Sequence, residues 1–509
     1  MPHRKYTSGA VAPAVLALDQ GTTGSTALVV AVDGTLLGHG YREITQHFPE
    51  PGWVEHDPEE IFQATLAAAR EALHQAHVIP AAIGITNQRE TVCTWERDTG
   101  QPIHRAVVWQ DRRTAPRCAA LNAEGHGPKI REKTGLVIDP YFSATKIEWL
   151  MQHVPGLPSR VASGEAVFGT VDSWLVYRLT GGKAFVTDHT NASRTMLYNL
   201  HSRYWDAELL ALFGVPVEAL PAIMPSSGVI GTTAPEHLGN EIPIAGLAGD
   251  QQAALFGQGC WDQGTAKNTY GTGAFLLLNT GGTPVPSSAG LLTTSACGRR
   301  GEPVYALEGS VFIAGAAIQW LRDGLGLVDH ASKTAALAEE VPDTSGVYFV
   351  PALVGLGAPH WEPGARGTIV GLTRGTKRAH LVRATLEAIA YSVKDVLDAM
   401  IADSGLQLSG LQIDGGAAAN DWMSQFQADL LNVPVSRPDV LETTAFGAAG
   451  LAGLGVGLWK EPEDILSGRK FRRFEPGRDG ARHRSAHAEW TRAVETALFW
   501  AKAGAKRET

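Results

Sequence analysis

A chain of 509 residues exceeds the size at which a single hydrophobic core stops growing, so two or more domains follow. With 44% hydrophobic and 19% charged residues it is composed like a compact globular protein, not a disordered one, and its net charge of -9 argues against general nucleic-acid binding. Four scattered cysteines, none in C-x-x-C spacing, argue against a disulfide framework or zinc ribbon and fit a reducing, cytoplasmic setting.

His3, Arg4 and Lys5 precede the apolar run Ala10 to Leu18, the outline of a weak secretory signal. Pro13 interrupts that run and it ends at Asp19 in a Gly/Thr turn, so a short tail leading into a first strand is the better reading. Asn191-Ala192-Ser193 is a glycosylation sequon of the kind that chance supplies. No stretch approaches the ~18 apolar residues of a membrane span, the longest candidate being the Gly/Ala-rich Ala445 to Trp459, so no stable membrane insertion is expected.

Val15 to Leu18, the turn Asp19 to Gly24 and Ala27 to Val32 predict an opening β-hairpin. Asp57-Pro58-Glu59-Glu60 is a helix start, followed at helical spacing by Ile61, Thr65, Leu66, Ala69 and Leu73. Ala81 to Ile85 predicts a strand ending at Thr86 to Glu90, and Val107 to Trp109 another; the alternation indicates an α/β architecture. Ile244 to Asp250 is a strand running into a polar tip, and Asn268 to Gly273 a second turn between apolar stretches. Gly21-Thr22-Thr23 and Gly271-Thr272-Gly273 look like equivalent turns in two similar halves, with a boundary near residue 255. His380 to Ile401 predicts an amphipathic helix with Leu381, Leu386, Ile389, Val393 and Met400 on one face. Leu411 to Asp414 is a strand, followed by Gly415-Gly416 and a helix from Asn420 striped by Trp422, Phe426 and Leu430. The segment after Gly468 is basic and polar, and Ala488 to Lys502 reads as a surface helix.

Neither GxxxxGK[ST], GxSxG nor HExxH occurs, and no GxGxxG follows a strand, which removes the P-loop, nucleophile-elbow, zincin and nicotinamide sites. Three Gly-rich turns remain. Their backbone N–H groups and hydroxyls suit phosphate oxygens, glycine lets a ligand approach, and Asp19 at a strand end suits Mg²⁺ held through water. One such turn is more often an ordinary hairpin. Two in matched halves, with Asp414-Gly415-Gly416 on a third strand, give the layout of actin-like ATPases, in which two phosphate-binding hairpins face each other across a cleft. The strand tips Arg89-Glu90 and Asp250-Gln251, with the aromatics Trp109 and Phe275, suit a small polyol that needs donors, acceptors and an apolar wall. Taken alone, Arg89-Glu90 reads as a surface ion pair and the two aromatics as core.

Several runs together carry a resemblance: Asp19 to Thr23, Gly84 to Glu90, Gly135 to Phe142, Asn191 to Met196, Ala248 to Phe256, Lys267 to Gly273 and Asp414 to Gly416. Two longer signatures join them, one through Tyr141, Lys146, Trp149 and His153, the other through Gly367, Gly371, His380 and Glu387. The chain is similar to the glycerol kinases of the FGGY carbohydrate-kinase family. The resemblance implies an α/β fold of two actin-like (ribonuclease H-like) domains, residues 12–254 and 255–505, with a catalytic cleft between them. It implies ATP-dependent phosphorylation of glycerol to sn-glycerol 3-phosphate in the cytoplasm, with glycerol and ATP/ADP as partners, no nucleic acid, and a homodimer or homotetramer. Asp250 would be the general base, with Arg89 beside it. Arg89, Glu90, Tyr141, Asp250 and Gln251 would hold the hydroxyls, with Trp109 and Phe275 against the carbon chain. Thr22, Thr23 and Gly24 would meet the ATP phosphates, with Thr272 from the facing hairpin. Gly315, Gln319, Gly416 and Asn420 would contact the nucleoside side, and Asp19 would organise Mg²⁺. The alternatives are a kinase for another polyol or pentose on this fold, or a non-catalytic actin-like ATP-binding protein.

The chain departs from its relatives in places. It reads Gly24-Ser25-Thr26 where bacterial relatives have Ser-Ser-Arg, which predicts a weaker hold on ATP. Pro235 to Asn240 lacks the Lys and Arg of the loop through which fructose 1,6-bisphosphate inhibits some members. No histidine lies between Gly228 and Gly231, where others are phosphorylated, and His237 is misplaced for that role. The region after Gly468 differs from that of members regulated through a sugar-transport protein. None of these three controls is expected.

Overall fold

The computed structural model describes residues 13–505; His3, Arg4 and Lys5, the start of the apolar run at Ala10, and the expected domain start at residue 12 lie outside the described residues. The strand β1 (Ala14–Gln20) is buried almost throughout, and the Gly21 to Thr23 turn sends the chain back along β2 (Gly24–Ala31), which pairs antiparallel with β3 (Leu36–Glu43). The helix α1 (Pro58–Ala76) begins where the sequence dictates. The Asp57 carboxylate accepts from the Glu59 amide at 2.8 Å, Pro58 sits in the first turn, and Glu59 and Glu60 complement the helix dipole. The strand Ala82–Asn87 then lies parallel to β1, an arrangement that needs the crossover α1 supplies.

Two large sheets built this way organise the two halves of the molecule. The first is six-stranded: Ser227–Thr232, Pro243–Gly249, Ala82–Asn87, β1, β2, β3. The second is seven-stranded: Leu292–Cys297, Pro303–Val311, Ala274–Gly281, Thr265–Tyr270, Gly410–Asp414, Val435–Pro438, Phe471–Phe474. The pairing pattern repeats. In each, an antiparallel hairpin and its third strand adjoin two parallel strands and an antiparallel edge; the second sheet adds one outer strand. The similarity of the two halves, faint in the residues, is plain in the topology.

Three elements depart from expectation. Val107 to Trp109 is not a strand of the main sheet. Only Ala106–Val107 is extended, in a separate four-stranded sheet, and Trp109 lies past its end. The helix over His380 to Ile401 runs Arg378–Ser404 and is buried all round between Val382 and Tyr391, not on one face. Its Leu386, Ile389, Val393 and Val396 pack on the second sheet, while Ala388, Ala390 and Tyr391 meet Phe426, Leu430 and Trp490 on the other side. The final helix starts at Gly480, and it is no bare surface helix, since its Trp490, Ala493, Val494 and Ala497 are buried. The Gly/Ala-rich stretch forms the helix Thr443–Gly455 and packs on the first sheet, although it follows strands of the second. The boundary expected at 254/255 falls inside the helix Asp250–Gly257, which crosses Thr443–Gly455 so closely that a Cβ on Gly447 would stand 1.8 Å from the Ala253 carbonyl oxygen.

Candidate active site

The three parallel strands of the first sheet end side by side. Register places Asp19 opposite Thr86, and Asn87 opposite Gly249, so Asp19, Arg89-Glu90 and Asp250-Gln251 meet at one edge. Such carboxyl ends are where α/β sheets bind ligands. A cavity of about 680 Å³ opens there, between the two sheets. Thr22, Arg89, Glu90, Trp109, Tyr141, Asp250, Gln251, Thr272 and Phe275 all line it. Trp109 and Phe275 are therefore cavity wall, not core. Trp109 Nε1 donates to the Thr22 hydroxyl at 2.9 Å, and its ring meets Tyr141 edge to face at 5.5 Å. Lys146, from one of the signatures, is buried beneath; its ammonium donates to the carbonyls of Pro140 and, at 3.1 Å, Tyr141, fixing the loop that presents Tyr141.

Arg89 and Glu90 are not a surface ion pair. Both are buried, and their side chains diverge, with Arg89 Nε 3.8 Å from Glu90 Oε1. Glu90 has φ +63°, and the Thr91 amide donates to the Arg89 carbonyl at 2.7 Å, closing a tight turn at that strained residue. Arg89 then faces Asp250 at 3.2 Å and Glu308 at 2.6 Å, while Glu90 takes Arg194 at 2.6 Å. Arg194 also holds Glu308, at 2.9 Å. Burial would raise the Glu308 carboxyl, but Arg194 and Arg89 outweigh it and hold it down at about 2. Neither Arg194 nor Glu308 was assigned a role from the sequence. The available signal for Glu308 was a lone carboxylate in the apolar strand Pro303–Val311, where an unpaired charge is too costly to bury.

Two further groups face this edge. Burial, with repulsion from Asp250, raises the Asp19 carboxyl to about 7, and Asp19 accepts no hydrogen bond from a described side chain. Burial lowers the Lys267 ammonium to about 8 against the pull of Asp414 and Asp250; it donates to Gln251 Oε1 and, at 2.9 Å, to the Thr269 hydroxyl. Among the described residues no group of three or more His, Cys, Asp or Glu could hold a metal ion.

A second cavity, of about 220 Å³, adjoins the second hairpin. Gly315, Gln319 and Gly416 line it, with Gly271, Ile318, Arg322 and Ala417; Thr272 lines both cavities and marks where they meet. Asn420 does not line it. Its side-chain oxygen caps the helix Asp421–Leu431 through the Met423 amide at 3.0 Å, and its amide donates to Thr334 at 3.1 Å. The third turn is also only half a ligand turn. The Asp414 carboxylate points inward, accepting from Gln258 at 2.9 Å and from the Thr443 hydroxyl, and Gly416 alone of Asp414-Gly415-Gly416 faces the cavity. In the first hairpin Thr22 and Thr23 are partly or fully exposed at the turn, whereas Gly24 is buried under β3. Ser25 is buried, hydrogen-bonded to Thr65 at 2.9 Å. In the Pro235–Leu238 helix, the His237 carbonyl is held by Arg70 at 2.9 Å and its ring by the Arg178 carbonyl at 3.0 Å. Among the described residues no helix is long and apolar enough to cross a membrane.

Comparison with known proteins bears on what this arrangement is for. Residues 14–257 match the N-terminal domain of the FGGY family of carbohydrate kinases, and residues 266–456 match its C-terminal domain. The chain is 56% identical over 493 residues to the glycerol kinase of Dechloromonas aromatica, covering 96% of this chain and 98% of that one. It is 54% identical over 492 residues to glycerol kinase 2 of Thermotoga maritima, covering 96% and 99%. The structure of Plasmodium falciparum glycerol kinase with ADP superposes with a TM-score of 0.91 at 37% identity, over 96% of this chain and 98% of that one. A ligand-bound xylulose kinase from Lactobacillus acidophilus has a TM-score of 0.86 at 23% identity, over 96% and 98%, a likeness of fold alone. The two-domain α/β fold expected from the motifs is thus borne out, and with both domain models matched and relatives more than half identical along nearly its whole length, the chain belongs to the FGGY family of carbohydrate kinases.

Proposed function

We propose that the chain transfers the γ-phosphoryl group of ATP to a terminal hydroxyl of glycerol, giving sn-glycerol 3-phosphate. The observation that carries this reading is one cavity in which acceptors on Glu90 and Asp250, a donor on Arg89 and an apolar wall of Trp109 and Phe275 converge beside the second hairpin. Relatives named glycerol kinase, at 54% to 57% identity, support it.

In this reading Asp250 is the general base. Its Oδ1 is occupied by Arg89 at 3.2 Å and by the Gln251 amide at 2.6 Å, which leaves Oδ2 to take a hydroxyl proton. Arg89 holds that carboxylate in place. Glu90, Tyr141 and Gln251 orient the remaining hydroxyls. Phosphoryl transfer asks little covalent chemistry of the protein; it requires in-line placement and stabilisation of charge. Thr22, Thr23 and Gly24 on one hairpin and Thr272 on the other meet the phosphates, and Gly315, Gln319, Gly416 and Asn420 the nucleoside side. The Asp19 carboxylate, raised to about 7 with Asp250 beside it and no donor of its own, fits a divalent cation held through water. Mg²⁺ bound there would neutralise phosphate charge. The two sheets, divided by sequence at 12–254 and 255–505, belong to two lobes that close on the cleft and exclude water, with the helix Thr443–Gly455 moving with the first sheet. The reading places the enzyme in the cytoplasm, consistent with four free, buried cysteines, as a homodimer or homotetramer.

The test is ADP release with Mg-ATP and glycerol, then with xylulose, gluconate, ribulose and dihydroxyacetone. Strong glycerol-dependent release with the sugars inert is expected. Turnover of a pentose instead would keep the fold and overturn the reading of Arg89 and Glu90; the breadth of the cavity, about 680 Å³, is why pentoses belong in the panel. ATP binding without turnover of any of them would overturn the enzyme assignment.

A further inference from the structure

Arg89 has five N–H groups, and the protein itself takes most of them. Nη1 donates to Glu308 Oε2 at 2.6 Å and to Gln252 Oε1 at 3.2 Å, Nη2 donates to Glu308 Oε1 at 3.2 Å, and Nε faces Asp250 at 3.2 Å. One Nη2 N–H is left over. The forked face that would otherwise grip a carboxylate in two parallel bonds is occupied by Glu308. Arg194 is committed likewise, to Glu90 at 2.6 Å and Glu308 at 2.9 Å. Two buried guanidiniums are therefore cancelled by two buried carboxylates, and Asp250 leaves the cluster with a surplus negative charge. Arg89, Glu90 and Asp250 sit at strand ends of the first sheet; Glu308 comes from the second, 219 residues along the chain from Arg89.

We propose that Glu308 is the specificity-determining residue of the cavity, which fills the bidentate face of Arg89, leaves it a single donor for a neutral hydroxyl, and so bars three-carbon acids. This rests on the reading of the cavity as a polyol site. A hydroxyl can accept from the remaining Nη2 N–H and donate to Glu90. A carboxylate in the same place would find no free fork and would meet Glu90, Asp250 and Glu308 as like charges. Glu308 is also a positioning residue, because one carboxylate spans Arg89 and Arg194 and fixes both in register.

The test compares wild type, Glu308→Gln and Glu308→Asp in steady-state kinetics, with D-glycerate as competitor, because it keeps the glycerol skeleton and replaces one terminal carbinol by a carboxylate. Wild type is measured first. No glycerol turnover by wild type would sink the polyol reading itself, whereas every later outcome concerns Glu308. With turnover in hand, D-glycerate is expected not to compete with glycerol in wild type. Glu308→Gln keeps one acceptor but turns an amide NH2, which cannot accept, toward the guanidiniums, so one Arg89 N–H is released and the like-charge repulsion of an acid falls: KM for glycerol rises about tenfold or more, KM for ATP stays within about twofold, and D-glycerate becomes a competitive inhibitor. A general loss of structure would not create affinity for an acid. Glu308→Asp keeps the charge but is too short to span both guanidiniums, so KM for glycerol rises while D-glycerate stays excluded. Competition by D-glycerate in wild type, an unchanged glycerol KM in either variant, or a Glu308→Gln protein blind to D-glycerate overturns the proposal. Should Glu308→Gln fail to fold by thermal melting, the wild-type competition and the Glu308→Asp KM still decide it.

Discussion

Glycines show how far single residues could be read. The sequence places Gly24, Gly271 and Gly416 alike in Gly-rich turns suited to a nucleotide, but their surroundings differ. A Cβ on Gly24 would lie 2.5 Å from the Arg42 carbonyl oxygen, so β3 and not a ligand demands that glycine; a Cβ on Gly416 meets nothing within 4 Å. Gly24→Ala is expected to lower stability by about 1–3 kcal/mol in a denaturant melt. Gly416→Ala should leave the melt unchanged and raise KM for ATP. Equal effects of the two would remove the distinction. Asp250→Asn should lower kcat by about 10²–10⁴-fold while nucleotide binding survives, as calorimetry with ADP would report; a kcat near wild type would rule out Asp250 as the base. Asp172 offers a pH test away from the cleft. Burial lifts its carboxyl to about 7 despite hydroxyl donors on Thr170 and Thr187, and Asp188 adds to the rise. An acid raised on folding contributes stability that is whole below its unfolded value of 3.8 and is lost as pH rises through about 7. Wild type should therefore lose more Tm than Asp172→Asn between about pH 5 and about pH 8, and parallel Tm profiles would refute this. What could be read at this scale was residue chemistry at strand ends. What could not was the partner, since Arg194 and Glu308 reach Arg89 and Glu90 only through the fold.

Elements were legible where local rules govern them. Asp57 and Pro58 start α1, and Asn420 caps the helix Asp421–Leu431, as any such side chains would. Asn420 also shows a local role that the sequence reading did not give it, since its side-chain oxygen caps that helix. The helix Arg378–Ser404 was found but given one apolar face, since periodicity does not reveal a second layer of helices packed outside it. The crossing of Asp250–Gly257 and Thr443–Gly455 depends on missing side chains. A methyl group on Gly447 would overlap the Ala253 carbonyl at 1.8 Å, and one on Gly257 the Thr443 carbonyl at 2.2 Å, so backbone meets backbone at both. Both sites are rigid main chain with nothing flexible to yield. Gly447→Ala should cost about 3 kcal/mol or more, or abolish soluble expression; a wild-type melting profile would show that the helices can separate without harm.

At the scale of the whole molecule, the repeated pairing pattern explains why two weak Gly-Thr signals were worth joining: each marks the same turn of the same half-fold, and only when the halves face each other do they enclose one cleft. The boundary was harder to read, because no composition shift marks a helix that belongs by sequence to one half and by packing to the other. That helix also bears on how the protein is made. The strands of the first sheet are all synthesised by Gly249, yet Ala445, Ala449 and Ala452, which cover its Val15, Ala17, Ala82 and Ala245 face, come only in Thr443–Gly455. A chain growing on the ribosome therefore carries this apolar face of the first sheet uncovered until Thr443–Gly455 has emerged, some two hundred residues after the last strand of that sheet.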